Sequence, residues 1–255
     1  GYFVYAAACI IKKDVAWGQT YRERILEIVR DYANPSTQDP AFPVLRNKDW
    51  YVGHSYAAGL FAFGDSRNQE STSEAINAYY AVYTLGLALN APDLRDLGRI
   101  LMQTEIRSTR KYWQMTNANP IYDAPFSNNK AVGVLWETKV DYATFFGANV
   151  EFIHGIQMLP YTPISEDYIT PDWIRESYPV FSAAYSRNAG PGWLGILYQA
   201  QATIDKAGAA ARIATLTSVD DGNTLTNTLY WLYTRPDGTN SRRPNAFADI
   251  DGLGT

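Results

Sequence analysis

From Ala75 to Leu89 the chain reads AINAYYAVYTLGLAL, without an acidic or basic side chain and without proline. A stretch this long that is apolar on every side forms a helix that other elements must cover. The rest of the chain supplies cover of the same kind. Residues 4–13 read as a buried helix. Thr20 to Ala33 is amphipathic, with Ile25, Leu26, Ile28 and Val29 set against Arg22, Glu23, Glu27 and Arg30. Asn34-Pro35 ends that helix, and a loop follows to Pro43. The apolar helix itself spans residues 72–89. Pro92 opens the next, running to about Met115 with Leu94, Leu97, Ile100, Leu101 and Ile106 on its inner face. Further helices are expected over 144–159 (interrupted near Gly155), 193–207 and 223–234. Another covers 170–185, where Thr170 caps and Pro171 takes the first helical position. A short helix fits residues 55–60. Residues 117–140, with Pro120, Pro125 and Gly133, suit a surface hairpin or long loop. No βαβ pattern or run of alternating strands is present, so the fold class is all-α, a bundle or toroid. It spans 1–234, and the polar, Pro/Gly-rich residues 235–255 form a C-terminal extension.

Composition narrows the function. The net charge of −4 comes with no basic block, which excludes a nucleic-acid footprint. Cys9 is the single cysteine, so no disulfide forms within the chain, and two histidines a hundred positions apart make no dense zinc site. No metal or cofactor is expected. The apolar run Tyr2–Ile11 is too short to cross a membrane and lacks a basic flank ahead of it. Without an initial Met, the chain is expected to be a piece of a longer polypeptide. Aromatic residues make up 14%, including 19 tyrosines, and suit both core packing and stacking on sugar rings.

The entrance to the apolar helix, Gly64 to Glu74, carries the chemistry. Glu70 and Glu74 are four apart, so on one helix they would share a face at about the separation of a retaining glycosidase pair. Ser71-Thr72-Ser73-Glu74 also matches a capping box, in which the same carboxylates serve the helix start.

The run Arg46-Asn47-Lys48-Asp49-Trp50-Tyr51-Val52-Gly53-His54-Ser55-Tyr56, followed by Asn68-Gln69-Glu70-Ser71-Thr72-Ser73-Glu74, resembles the central signature of the glycoside hydrolase family 81 endo-β-1,3-glucanases. Two further blocks are similar to that family: Asp141 to Gly147 with Ile153-His154-Gly155-Ile156-Gln157-Met158-Leu159-Pro160, and Asp221 to Trp231. The resemblance implies an (α/α)6 barrel, here incomplete on its N-terminal side, and cleavage of internal β-1,3-glucosidic bonds with inversion. It makes Glu70 the general base, with Glu74 assisting. The family's general acid is an aspartate in an Asp-His-His-Phe-His-Tyr-Gly-Tyr type of motif, whose end Gly1-Tyr2 resembles. The acid is thus expected upstream of Gly1, leaving this chain inactive by itself.

Substrate contacts are expected from Tyr2, Asp49, Trp50, His54, Asn68, Phe146 and His154. The expected partners are a laminarin-like β-1,3-glucan and the upstream part of the same polypeptide, with no nucleic acid and no membrane. The expected location is extracellular or at the cell wall. Two alternatives stand beside this reading: a non-catalytic glucan-binding or scaffold fragment, and an α/α-barrel polysaccharide lyase.

Overall fold

A computed structural model of the chain describes residues 1–57, 63–187 and 189–236. The chain is mostly helical, as expected, and divides into two compact units. One comprises Gly1–Phe63 with Glu74–Ser108, and the other Gly64–Ser73 with the chain from Thr109 onward.

In the first unit α1 (Tyr2–Ile11) packs on α2 (Val15–Ala33). The Asp14 side chain starts α2 by accepting from the Trp17 N–H at 2.9 Å. The two helices bury Val4, Ala7, Ala8 and Ile11 from one and Ile25, Val29 and Ala33 from the other. Ile28, expected on the inner face, is exposed. Most of α3 (Thr72–Ala88) belongs here and is covered as its composition requires, burying Ile76, Tyr79, Tyr80, Ala81, Val82, Tyr83 and Leu85. The Tyr32 hydroxyl of α2 donates to the Ala78 carbonyl at 3.2 Å, and Tyr5 of α1 meets Tyr80 with ring centres 5.7 Å apart. Helix α4 (Pro92–Tyr112) lies directly against α3. A Cβ on Gly86 would stand 2.3 Å from the Arg95 nitrogen, and one on Gly98 2.3 Å from the Tyr83 nitrogen. Leu101 and Ile106 are buried as expected, but Ile100 is exposed.

The second unit contains a small antiparallel sheet, β1 (Asn68–Gln69), β2 (Val134–Trp136) and β3 (Val140–Asp141), in that order. Asn68 pairs with Trp136 and Gln69 with Leu135, while Val134 pairs with Asp141 and Leu135 with Val140. Arg67 fixes the β1 side by donating from Nε to Glu137 Oε1 at 2.9 Å. The hairpin expected within 117–140 is β2–β3, exposed at its turn, residues 137–139, while Leu135 and Val140 pack on a core of Trp113, Met115 and Val132.

The unit also contains α5 (Val150–Gly155), α6 (Ser165–Tyr168), α7 (Pro171–Phe181), α8 (Pro191–Gln201), α9 (Lys206–Ile213) and α10 (Leu225–Thr234). Helix α8 is buried from Gly195 to Gln201 and touches α5, α7, α9 and α10. The Asp221–Trp231 segment anchors there. Asn223 Nδ2 donates to Gln199 Oε1 at 2.7 Å, Trp231 Nε1 to the Gln199 carbonyl at 2.7 Å, and Asn227 Nδ2 to the Tyr161 carbonyl at 3.0 Å.

Several boundaries differ from the sequence reading. The helix expected over 144–159 is only α5, because Thr144 closes a tight turn before it: Oγ1 accepts from the Gly147 N–H at 3.1 Å and donates to its carbonyl at 2.8 Å. The helix expected over 193–207 stops at Gln201, since Asp205 caps α9 by accepting from the Gly208 N–H at 2.9 Å. Thr170 and Pro171 open α7 as expected, but it passes at Phe181 into a 3-10 turn, Ser182–Ser186. Ser55 pairs with Lys48 as an isolated β-bridge and is not helical. Tyr56 and Ala57 are not helical either, and residues 58–60 of that expected helix, with the extension beyond residue 236, lie outside the described residues.

Candidate active site

The segment 47–56 in the first unit is a loop built around a buried ion pair. Lys48 Nζ lies 2.9 Å from Glu105 Oε2, and both side chains have 0% exposure. The ammonium also donates to the Gly53 carbonyl at 2.8 Å. Glu105 accepts from the Ser55 N–H at 2.9 Å and from its hydroxyl at 3.0 Å. Burial pushes the Lys48 ammonium below its ordinary range, and the Glu105 carboxylate works against that shift.

With both ends tied, the loop turns outward. Asp49 Oδ1 accepts from the Tyr51 N–H at 2.9 Å and the Val52 N–H at 3.3 Å, and Gly53 takes φ +82°. This leaves Trp50 at 53% exposure and Tyr51 almost fully exposed. His54 is 2% exposed and directs Nδ1 to the Ser55 carbonyl at 2.9 Å, which makes Nδ1 the protonated nitrogen. Burial lowers its pKa. In the same unit the exposed Tyr2 donates its hydroxyl to Glu74 Oε1 at 2.9 Å, in the first turn of α3.

Glu70 lies in the second unit, just past β1 and before α3 begins at Thr72. It is therefore not helical, and the shared helix face drawn from the four-residue spacing to Glu74 does not exist. Its Oε1 accepts from the Phe145 N–H at 2.8 Å, and its carbonyl accepts from Gln157 Nε2 at 2.6 Å. The donor at Phe145 is presented by the Thr144–Gly147 turn.

That turn also carries an aromatic surface. Phe146 is exposed and stacks on Trp193 with centres 5.7 Å apart and planes 21° from parallel. Phe145 meets Trp136 edge-on at 5.6 Å, and Trp136 Nε1 donates to Asp141 Oδ2 at 2.8 Å. Asn68, one strand residue away, is 3% exposed with its Nδ2 unpaired.

His154 is 0% exposed beside Phe181, and burial depresses its pKa to about 3, so it is neutral at physiological pH. The His54, Asn68 and His154 side chains are thus all buried.

Sequence reasoning missed three residues that shape these sites: Glu105, Gln157 and Thr144. Glu105 had a signal, because it occupies the buried stripe of α4 with Leu101, Ser108 and Thr109. A charge at a core position of an amphipathic helix calls for a buried partner. Among the described residues no group of three or more His, Cys, Asp or Glu side chains gathers as a metal ion would need.

The family model described as "Glycosyl hydrolase family 81 C-terminal domain" matches residues 1–232. The chain belongs to glycosyl hydrolase family 81. It is 39% identical over 245 residues to a Glycine max protein named glucan endo-1,3-beta-D-glucosidase, covering 93% of this chain and 36% of that one. A protein of the same name from Acetivibrio thermocellus is 33% identical over 236 residues, covering 91% of this chain and 30% of the relative. The solved structure of a family 81 glycoside hydrolase from Clostridium thermocellum, a glutamate-to-alanine mutant, superposes with a TM-score of 0.79 at 30% identity. It covers 91% of this chain and 32% of that one. The family 81 chain thus spans about a third of the length of the relatives it matches.

Proposed function

We propose that this chain is the helical catalytic portion of an endo-acting hydrolase of β-1,3-glucan, in which Glu70 is the general base for an inverting displacement. The observation that carries the reading is the setting of Glu70 within a family 81 domain. It is partly buried at the end of β1, and the Phe145 N–H is bonded to its carboxylate at 2.8 Å. A backbone N–H bonded to a carboxylate favours its charged form, which is the form a base must hold before it takes a proton from water. Beside that donor, the exposed Phe146 on Trp193 offers a flat apolar face for a glucose ring.

In the other unit, Glu74 assists, held by the Tyr2 hydroxyl, and the exposed Tyr2 and Trp50 are further stacking surfaces. Asp49 serves by shaping the Trp50 loop through its bonds to the Tyr51 and Val52 N–H groups. His54, Asn68 and His154 act as internal supports. The (α/α)6 toroid is part of this reading and rests on the family. Action at a cell wall is supported by a Schizosaccharomyces pombe relative named primary septum glucan endo-1,3-beta-D-glucosidase, 35% identical over 200 residues.

The test is Glu70→Gln in the full polypeptide acting on a linear β-1,3-gluco-oligosaccharide, with products followed by NMR. The wild type first releases the α-anomer, and the variant loses about 10²–10⁴-fold in kcat with KM little changed. Near-normal turnover by the variant refutes Glu70 as base, and a β-anomer as first product refutes inversion.

A further inference from the structure

Gln157 sits in the Ile153–Pro160 block, has 1% exposure, and has no part in the chemistry described so far. Its amide bonds to two separate stretches of chain, 70–72 and 132–133. Oε1 accepts from the Thr72 N–H at 3.2 Å and the Thr72 hydroxyl at 2.9 Å. Nε2 donates to the carbonyls of Glu70 at 2.6 Å, Val132 at 3.2 Å and Gly133 at 3.3 Å. With donors facing its oxygen and three carbonyls facing its nitrogen, the amide has one orientation only.

The effect concentrates on Glu70. Gln157 holds the carbonyl of Glu70 itself and both polar groups of Thr72, two residues on. Between and beyond them, the Ser71 and Ser73 hydroxyls donate to the Ile156 carbonyl at 2.8 Å and 3.0 Å. The backbone from 70 to 73 is thus fixed against 156–157 residue by residue. From that backbone the Glu70 carboxylate reaches the Phe145 N–H at 2.8 Å. The Val132 and Gly133 carbonyls belong to the approach to β2, so the same amide ties Glu70 to the sheet that precedes it.

We propose that Gln157 is a positioning residue for the family 81 reaction, fixing the backbone at Glu70 so that its carboxylate meets the Phe145 N–H and the attacking water. It touches no substrate. The inference rests on the role of Glu70 proposed above and adds the residue that sets its aim. Glutamine suits the place because it is neutral. A carboxylate there would face three carbonyl oxygens, and an apolar side chain would leave five buried groups short of a partner.

The experiment uses the full polypeptide with Gln157→Met, Thr72→Val and Thr72→Ser, alongside Glu70→Gln. It reads kcat and KM on a β-1,3-gluco-oligosaccharide, the pH profile of kcat/KM, and the thermal midpoint. Gln157→Met is expected to lower kcat about 10²-fold with KM held within about two-fold, the cost of roughly 1 Å of misplacement. Two or three backbone N–H bonds can lower a carboxylate by about two pH units. Losing the one at Phe145 therefore moves the acidic limb of the profile upward. Thr72→Val is expected to show the same two changes in smaller measure, and Thr72→Ser to restore wild-type values.

A lowered thermal midpoint with wild-type kcat and an unmoved acidic limb overturns the proposal, since a purely structural glutamine would behave so. If Gln157→Met fails to fold, matching kinetics of Thr72→Val and Thr72→Ser overturn it instead. Near-normal turnover of Glu70→Gln removes the base assignment itself. A crippled Glu70→Gln beside unaffected Gln157→Met removes only the positioning role.

Discussion

Replacing Glu105 by glutamine isolates the buried cation under the Trp50 loop, and the structure sets the size of the effect. Lys48 and Glu105 are both fully enclosed, and breaking such a pair from one side costs about 3–5 kcal/mol. The lower end applies here. The Lys48 ammonium keeps the Gly53 carbonyl at 2.8 Å and the Leu101 carbonyl at 3.4 Å, with the Tyr79 ring centre at 5.3 Å. The glutamine oxygen still accepts from Ser55. About 3 kcal/mol is therefore expected at pH 7 for Glu105→Gln, read by urea denaturation of the full polypeptide.

The loss should shrink as pH rises. Burial already holds Lys48 below its ordinary range, and without Glu105 nothing nearby of opposite charge offsets that as closely. Between the folded pKa and the unfolded value of about 10.4 the unfolded chain binds more protons, so stability climbs with pH in that window. Adding Lys48→Met to Glu105→Gln removes the stranded charge and is expected to recover about 2 kcal/mol. A loss under about 1 kcal/mol at pH 7 with no trend toward pH 10 refutes the argument, because it means the site hydrates its cation without Glu105.

Two further substitutions probe the same frame. Gly53→Ala places a Cβ at φ +82° and 2.7 Å from Ser108 Oγ, whose hydroxyl donates to the Val52 carbonyl at 2.7 Å. It is expected to cost about 2–3 kcal/mol and to raise KM by unseating Trp50, and a wild-type thermal midpoint speaks against the strain. Asp167 is raised to about 6, first by burial and then by Glu166, with Arg110 opposing. The folded state therefore holds the extra proton between about pH 4 and 6, and stability falls as pH rises through that window. Asp167→Asn removes that slope and stabilises above pH 6, whereas urea midpoints that run parallel from pH 4 to 7 would contradict it.

The helices were legible wherever one physical signal dominated. The uncharged run Ala75–Leu89 announced a covered helix, and Thr170-Pro171 announced a helix start because both local preferences agree. Where two signals competed, the sequence misled. Ala207 continues an apolar pattern from Trp193, yet the Asp205 side chain captures the Gly208 N–H and begins a new helix. The sheet was invisible because strands of two or three residues carry no alternation to read. The family signature pointed to Glu70 and Glu74, but their spacing suggested a shared helix that Thr72 begins too late to provide. Gln157 stood in view without a role, since an amide that bonds to residues 70, 72, 132 and 133 announces itself only once the chain is folded.

The backbone contact between α3 and α4 inverts a common route to a sturdier protein. Exchanging a glycine inside a helix for alanine normally gains up to about 1 kcal/mol, because alanine has less freedom to lose. At Gly86 and Gly98 the added methyl would lie 2.3 Å from a neighbouring backbone nitrogen, where ordinary contact begins about 1 Å farther out. The helices have no flexible side chain between them to absorb the difference, so either they part or the methyl is refused. Repair by helix propensity thus turns to damage at the two places in α3 and α4 that would invite it first. A library that randomises this hairpin should hold both glycines fixed and vary the residues around them.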